Sequence, residues 1–474
     1  MRFLALGLAA LLLCVPGCGG GRRASAYAGE LISDYNDPGL KPLRDELRPL
    51  PFHPDPVWYY KLTDKEIARV TLGSEFLYIE TPDHRIVAMD RFNGVVKWIY
   101  EVDTRTPLDW PPIEAYGVPD EIRQKETELR AAKRKVEDIV KEKGPGKESQ
   151  EQQKKVDNIR EQLRQAQNGD NVYFISQHVL YCLVRTTGTL LWSRRLSHEF
   201  SASGQPFAIR SDIFVPGGNL SRVWRLSVEG KGRSVTFYRT SIGSHDKQVT
   251  NRPLYEDPAL YFVSHDGNVY SYNQDGNLNW TYPTEDELRA DPVIYKYRRM
   301  YKDPAGKDRP LDTKFLYVGG FDHAFYALDA AGGNLVWKYE TAGQIKSPAV
   351  ARGETVYVKT ESGALFALDA TPMHGEKPDG SFVVPPVGQG WPWKRGGTLR
   401  WKLPLGERFV VKGKDHVYVL GPNREIYKLN EWTGEVIGRY PMNLFQHIVT
   451  NAQDDILYLA HPSGHIFALR ESKE

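Results

Sequence analysis

The chain of 474 residues carries 62 basic and 60 acidic side chains, and this small net charge of +2 is scattered along the sequence. Such a balance argues against a nucleic-acid-binding protein, whose basic residues normally cluster on one face. The apolar fraction of 41% is ample for a buried core, and 12% aromatic residues with 42 glycines are typical of an all-β chain with many tight turns.

The amino terminus has the features of a secretory signal that ends in a lipid-attachment site. One charge, Arg2, is followed by an apolar stretch at residues 3–15, which is too short to cross a bilayer as a stable helix but has the length of a signal-peptide core. Val15-Pro16-Gly17-Cys18 resembles the bacterial lipobox, in which the cysteine is acylated and the signal removed. The resemblance implies a signal peptide at 1–17 and lipidation of Cys18. An ordinary signal peptide with an incidental cysteine is the alternative.

The residues after Cys18 are predicted to form a tether. In the lipoprotein sorting rule, Gly19 rather than Asp after the cysteine implies the outer membrane. Residues 18–56 contain six prolines between positions 38 and 56 and no sustained apolar period, so we expect a lipidated tether that lies along the body of the protein. Together these features predict a bacterial outer-membrane lipoprotein that faces the periplasm.

From residue 57 onward the sequence repeats one phrase, which is most complete at 315–340. Two apolar runs with alternating aromatics are followed by a third that ends on a tryptophan, and glycine-containing turns separate them, which predicts three short antiparallel strands. The closing motif G-x-[VL]-x-W recurs five times, with its tryptophan at Trp98, Trp192, Trp280, Trp337 and Trp401. A regular repeat overrides the length-based expectation of several domains and predicts a single array.

The two ends of the array complete one another. Residues 57–61 match the closing strand of the repeat but have none of its earlier strands before them, while residues 456–469 supply earlier strands with no closing strand after them. Counting a degenerate copy near Ile213 gives eight repeats. We therefore predict an all-β fold over 57–474: an eight-bladed β-propeller of four-stranded blades, closed by the amino-terminal strand.

Residues 119–168 interrupt the second repeat with a segment of different character. The segment has no aromatic residue, is dense in charged residues and glutamine, and contains the breaker Gly144-Pro145-Gly146, which predicts two helices. Narrow apolar stripes, which include Leu129 and Val136 seven residues apart, predict an antiparallel coiled-coil hairpin inserted in the propeller. The stripes either only pack against each other or also support the binding of a partner protein.

The phrase YALDAAGGNLVW at residues 326–337 resembles the blade signature of the quinoprotein-type propellers. In that superfamily the tryptophan and the Ala-Leu-Asp run dock neighbouring blades, which implies a structural role for the five tryptophans. The superfamily includes pyrroloquinoline quinone (PQQ) dehydrogenases, which are enzymes, and BamB-type lipoproteins, which assist the outer-membrane β-barrel assembly machine and are not. The resemblance therefore implies the fold and leaves the function open.

The residue types that such catalysis requires are not gathered in the sequence. The chain lacks the adjacent cysteine pair usual in PQQ dehydrogenases, and no local run supplies the roughly six to eight oxygen ligands of Ca²⁺. His461 and His465 flank a predicted turn, where hydrogen bonding is favoured over metal ligation, and Cys182 lies in an apolar strand and is predicted to pack in the core. We expect no catalytic residue, no metal site and no cofactor.

Two classes of function follow. The favoured one is a non-catalytic, membrane-anchored scaffold that binds partner proteins at the periplasmic face of the outer membrane, as a monomeric propeller within a complex. By the resemblance to BamB-type lipoproteins, the partners would belong to the β-barrel assembly machine. The alternative is a PQQ-dependent oxidoreductase or a carbohydrate-binding propeller that uses the central funnel. A nucleic-acid partner is not expected.

Overall fold

A computed structural model describes residues 30–31, 38–53, 55–62, 66–103, 106–115, 119–144, 146–167, 170–196, 202–209, 212–217, 222–227, 235–239, 248–273, 275–302, 308–370 and 397–472. The predicted signal peptide and Cys18 lie outside these residues.

The described chain forms eight antiparallel sheets, which follow one another in sequence order. Before the first sheet come β1 (Glu30–Leu31), helix α1 (Lys41–Leu47) and β2 (Trp58–Lys61). Blade 1 contains β3 (Arg69–Leu72), β4 (Phe76–Glu80), β5 (Arg85–Asp90) and β6 (Val96–Glu101); blade 2 contains β7 (Trp110–Ala115), β8 (Asn171–Ser176), β9 (Val179–Val184) and β10 (Leu190–Arg195), with helices α2 (Pro119–Lys143) and α3 (Lys147–Gln167) inserted between β7 and β8.

The next blades repeat this order. Blade 3 contains β11 (Phe207–Ala208), β12 (Asp212–Gly217), β13 (Arg222–Ser227) and β14 (Val235–Arg239); blade 4 contains β15 (Leu254–Glu256), β16 (Ala259–Val263), β17 (Asn268–Asn273) and β18 (Leu278–Pro283); blade 5 contains β19 (Val293–Lys302), β20 (Asp308–Gly319), β21 (Ala324–Asp329) and β22 (Leu335–Glu340). Blade 6 contains β23 (Val350–Arg352), β24 (Thr355–Lys359), β25 (Ala364–Asp369) and β26 (Leu399–Pro404); blade 7 contains β27 (Arg408–Lys412), β28 (His416–Leu420), β29 (Glu425–Asn430) and β30 (Val436–Pro441); blade 8 begins with β31 (His447–Ile448), β32 (Ile456–Ala460) and β33 (His465–Arg470).

The eighth blade confirms the predicted ring closure. Strand β2 pairs with β33, with Trp58 opposite Ala468 and Tyr60 opposite Ile466, so the fourth strand of the last blade comes from the start of the chain. Strand β1 adds a fifth, outermost strand to this sheet. Closure of this kind leaves no terminal blade with an open edge in the ring, and the eight-bladed propeller is the observed fold.

The hydrophobic core lies between adjacent blades. The second strand of most blades carries a tyrosine that is almost completely buried; these are Tyr78, Tyr173, Tyr317, Tyr357, Tyr418 and Tyr458. Each hydrophobic cluster combines residues of neighbouring sheets: Tyr317 of blade 5, for example, packs in one cluster with Val356 and Phe366 of blade 6. The Leu-Tyr phrase of the repeat thus supplies the side chains that fill the seams between blades.

A segment assigned above to the tether is built into the propeller. Leu40, Leu43, Leu47 and Leu50 are buried in the seam between blades 7 and 8, in one cluster with Phe467. The Glu46 carboxylate accepts hydrogen bonds from the backbone N–H groups between blades 7 and 8, at residues 443 and 444. The 3-4-3 spacing of these leucines indicates a buried helical face. This signal was missed because the surrounding prolines suggested an irregular tether.

The topology gives the ring two distinct faces. The first strand of each blade lies nearest the centre, as shown by contacts of β7 with β11 and of β19 with β15 and β23, and by a bridge from Val411 to Asn451. Because strands alternate in direction, first-to-second and third-to-fourth connections share one face, which we call the hairpin rim. The helices α2 and α3 and the β19–β20 connection both belong to the hairpin rim, while connections between blades lie on the opposite rim.

Candidate interaction surface

The tryptophans of the repeat lie at the seams between blades. The Trp98 indole Nε1 donates a hydrogen bond to the carbonyl of Arg185 in blade 2 at 2.7 Å. Equivalent bonds to the next blade join Trp58 to Arg91 (2.8 Å), Trp280 to Ala330 (3.2 Å) and Trp401 to Glu431 (2.8 Å). Trp337 is likewise buried at a seam, and Trp192 is half-buried, with its ring 6.1 Å from that of Tyr173.

In four of the five G-x-[VL]-x-W motifs, at Gly94, Gly188, Gly333 and Gly397, the glycine receives the tryptophan of the preceding blade. Gly188 has a φ of +68°, and a Cβ there would lie 2.6 Å from the Trp98 ring. Gly397 stands in the same relation to Trp337, with a distance of 2.4 Å. Both the left-handed backbone and the close approach require glycine. Such a motif therefore takes part in two seams: its glycine contacts the preceding blade, and its tryptophan contacts the following blade.

The tyrosine of the Leu-Tyr strand strengthens the same joints, a role not inferred from the sequence. Tyr458 Oη donates to the Arg91 carbonyl at 3.0 Å, so this acceptor receives both Tyr458 and Trp58. Tyr261 and Trp280 share the Ala330 carbonyl in the same way. These acceptor carbonyls are distant from the tyrosines in sequence, and only the arrangement of the blades identifies them.

The helical hairpin is the largest feature of the hairpin rim. Helix α2 has 25 residues, a length of about 37 Å, and it packs against α3. Val156 is fully buried, and Leu129 and Val136 are partly buried, so the two apolar stripes face each other as predicted. The loop is closed by Ser149, whose Oγ accepts the backbone N–H of Gly146 at 2.9 Å. The extensive contacts of each helix are with the other helix.

Exposed aromatic residues mark the third-to-fourth turns on the same rim. Trp432 of blade 7 is 56% exposed, and the Arg400 guanidinium lies 4.3 Å from its ring. Phe92 of blade 1 is 49% exposed, and the guanidinium of the adjacent Arg91 lies 4.5 Å from its ring. Exposed aromatic side chains are among the types that dominate protein interfaces. The hairpin rim thus offers both a projecting arm and exposed contact residues.

The central channel contains a cavity of about 440 Å³, lined by the inner strands of blades 1, 2, 7 and 8. Its polar lining includes Arg69, Arg408 and His447. Arg408 donates to the Ile448 carbonyl at 2.6 Å, and burial lowers the pKa of its guanidinium. Burial also lowers the pKa of His447, whose Nε2–H donates to the Ile67 carbonyl at 3.1 Å. The cavity is suited to a small polar or anionic ligand.

Comparison with known proteins agrees with this architecture. A family model described as outer membrane protein assembly factor BamB matches residues 146–291 and 296–372. The crystal structure of BamB from Moraxella catarrhalis superposes with a TM-score of 0.53, at 11% identity, over 89% of this chain and 98% of that chain. Over the matched residues the chain is similar to PQQ-like β-propellers of the BamB type. A computationally designed protein, Ika8, has a TM-score of 0.47 at 10% identity, over 86% of this chain and 97% of its own. No curated protein sequence matches.

In this eight-bladed propeller the His461 and Cys182 side chains singled out above lie in structural settings. The His461 Nδ1 accepts the backbone N–H of Ser463 at 3.1 Å, which is the turn hydrogen bond expected from the sequence. Cys182 is buried in the blade 2–3 seam, and burial raises the pKa of its thiol to about 12. Within the part of the chain that the structure describes, no three His, Cys, Asp or Glu side chains are grouped so as to hold a metal ion.

None of the described helices is both long and apolar enough to cross a bilayer.

Proposed function

We propose that this BamB-type propeller is a non-catalytic scaffold, anchored to the outer membrane by acyl chains on Cys18, that binds proteins of the outer-membrane assembly machinery through its hairpin rim. The observation that carries the proposal is the α2–α3 hairpin. Its longer helix is about 37 Å long, Val156 is buried where the two helices pack together, and in the described residues its extensive contacts are between the helices and not with the blades. An arm with these properties adds little to the stability of the ring and has its surface available for a partner.

The direction of strand β1 supports this proposal. Strand β1 runs antiparallel to β2, with Glu30 opposite Lys61, and Lys61 lies at the end of β2 that leads to the opposite rim. The first described residue, Glu30, therefore lies toward the face away from the hairpin. Three acyl chains would give a permanent attachment, because each buried methylene contributes about 0.8 kcal/mol whereas a single chain binds only marginally.

The test is a deletion of residues 119–168 that joins the blade 2 strands with a Gly/Ser loop. We expect an unchanged thermal unfolding midpoint and the loss of at least one protein from complexes crosslinked in native membranes and purified with the scaffold. A Cys18→Ala variant is the matched control, because it should release the protein from the membrane and leave the hairpin intact. Loss of folding on deletion, or an unaltered set of crosslinked proteins, would contradict the proposal.

A second candidate function rests on the channel cavity. Arg69 and Arg408 line a space of about 440 Å³, and cationic side chains favour an anionic ligand such as a quinone carboxylate. Adding PQQ and Ca²⁺ to the purified protein, followed by gel filtration and absorbance spectroscopy, distinguishes the candidates. Stoichiometric retention of the quinone would favour the function of an oxidoreductase over that of a scaffold.

A further inference from the structure

Strands β19 and β20 extend past their blade as a two-stranded ribbon on the hairpin rim. They pair at ten consecutive positions, from Val293 opposite Tyr317 to Lys302 opposite Asp308. Strand β20 pairs with β21 only over Phe315–Gly319. Six pairs, formed by residues 297–302 and 308–313, therefore lie beyond the blade sheet, which corresponds to about 20 Å at ~3.3 Å per residue.

The base of the ribbon is fixed on both sides. Toward blade 6, the Tyr295 hydroxyl donates a hydrogen bond to the Gly353 carbonyl. Toward blade 4, the Lys296 and Lys314 ammonium groups lie 2.9 Å and 2.8 Å from the Glu256 carboxylate. These contacts hold the ribbon between the two neighbouring turns, so its direction is set by the blades.

Beyond its base the ribbon is a sheet of two strands only. In the described structure, β19 is the end strand of its sheet, and residues 308–312 of β20 lie past the last pair with β21. Two strands alone are marginally stable in water, and an exposed edge presents unpaired N–H and C=O groups to any third strand. The geometry therefore favours an extended segment as the binding partner.

The charge of the ribbon restricts what that segment can be. Beyond its base, the described ribbon of residues 297–302 and 308–313 contains four lysines and arginines and two aspartates, so twelve residues carry a net charge of +2. A second copy of the ribbon would be repelled, and an acidic segment would be attracted. An anionic lipid surface would supply phosphates but no strand to complete the backbone ladder.

We infer that the ribbon binds an acidic, extended segment of a partner protein, which adds to it as a third strand. This inference rests on the proposed function, because it identifies the chemistry of one partner of the hairpin rim. Main-chain hydrogen bonds would supply the affinity, and the basic side chains of the ribbon would select against neutral and basic strands.

The inference is tested with a labelled ten-residue peptide of alternating Glu and Val, titrated with the full chain and followed by fluorescence anisotropy. The principal variant replaces residues 297–313 with an Asn-Gly turn between Lys296 and Lys314, a type I′ connection that keeps the base of the ribbon. We expect the peptide to bind the unaltered chain and the 119–168 deletion, but not the shortened ribbon. A peptide with prolines at alternate Val positions should not bind, because proline cannot donate to the ladder.

A second variant keeps the ribbon and changes its charge. Arg298→Glu with Arg299→Glu should weaken peptide binding at least about tenfold, with unchanged circular dichroism. Binding that survives shortening of the ribbon, equal binding of the proline peptide, ribbon-dependent dimers in sedimentation, or binding to phosphatidylglycerol vesicles in place of the peptide would each overturn the inference. If the peptide fails to bind while the hairpin deletion still removes a crosslinked partner, strand addition is wrong and the scaffold function stands.

Discussion

Replacing Trp58 with alanine tests whether the amino-terminal strand holds the ring closed. Trp58 is 5% exposed, and its indole lies against Gly94 of blade 1 and donates to the Arg91 carbonyl at 2.8 Å. It is therefore the joint between the last blade and the first. The substitution removes this joint and leaves the strand pairing of β2 with β33 in place.

The expected loss follows from these contacts. Truncating a buried tryptophan to alanine costs about 3–5 kcal/mol, because apolar contacts are lost and a cavity remains. The lost hydrogen bond adds no more than about 1 kcal/mol, since the Arg91 carbonyl still accepts from Tyr458 at 3.0 Å. We therefore expect Trp58→Ala to lower the free energy of unfolding by about 4 kcal/mol, the same loss as for Trp98→Ala at an internal joint.

The assay is urea unfolding followed by far-UV circular dichroism, which does not depend on the substituted fluorophore. Trp432→Ala is the matched control, because Trp432 is 56% exposed and its removal should change the stability by less than about 0.5 kcal/mol. If Trp58→Ala shifts the unfolding midpoint no more than Trp432→Ala does, the closing strand does not stabilise the ring and the reasoning is refuted.

Three further outcomes are expected. Gly333→Ala should lower the free energy of unfolding in urea by at least about 2 kcal/mol, because φ is +69° and the new Cβ would lie 2.4 Å from the Trp280 indole. Gly144→Ala, at φ +70° with open space around it, should lower it by less. Equal losses of stability in the two variants would contradict this reasoning. Leu47→Ala should destabilise by about 2–5 kcal/mol and Leu405→Ala, 62% exposed, should not. Burial is the main cause of the lowered pKa of His447, so at acidic pH the unfolded chain binds a proton that the folded chain does not, and thermal stability should fall from pH 7 toward pH 5. His447→Gln should flatten this pH dependence. An unaltered slope in the variant would show that His447 is not its source.

The repeat, the number of blades and the closure of the ring could all be predicted from the amino-acid pattern. These follow from local patterns that recur many times: alternating apolar residues specify strands, and G-x-[VL]-x-W specifies a turn and a closing strand. The hairpin was equally accessible, since the helical period of Leu129 and Val136 and the breaker at 144–146 are local signals. Ring closure was predictable because the isolated closing strand at 57–61 matches the strand that is missing from the last repeat.

Which residues meet across the ring became clear only from the folded arrangement of the blades. Trp98 bonds to a carbonyl 87 residues away, and the leucines from Leu40 to Leu50 fill a seam formed by the last two blades, contacts that no periodicity announces. The sequence also gave no indication that the helical hairpin and the β19–β20 ribbon share one face. That placement depends on the alternating direction of strands in every blade, which is a property of the assembled sheets and not of either insertion alone.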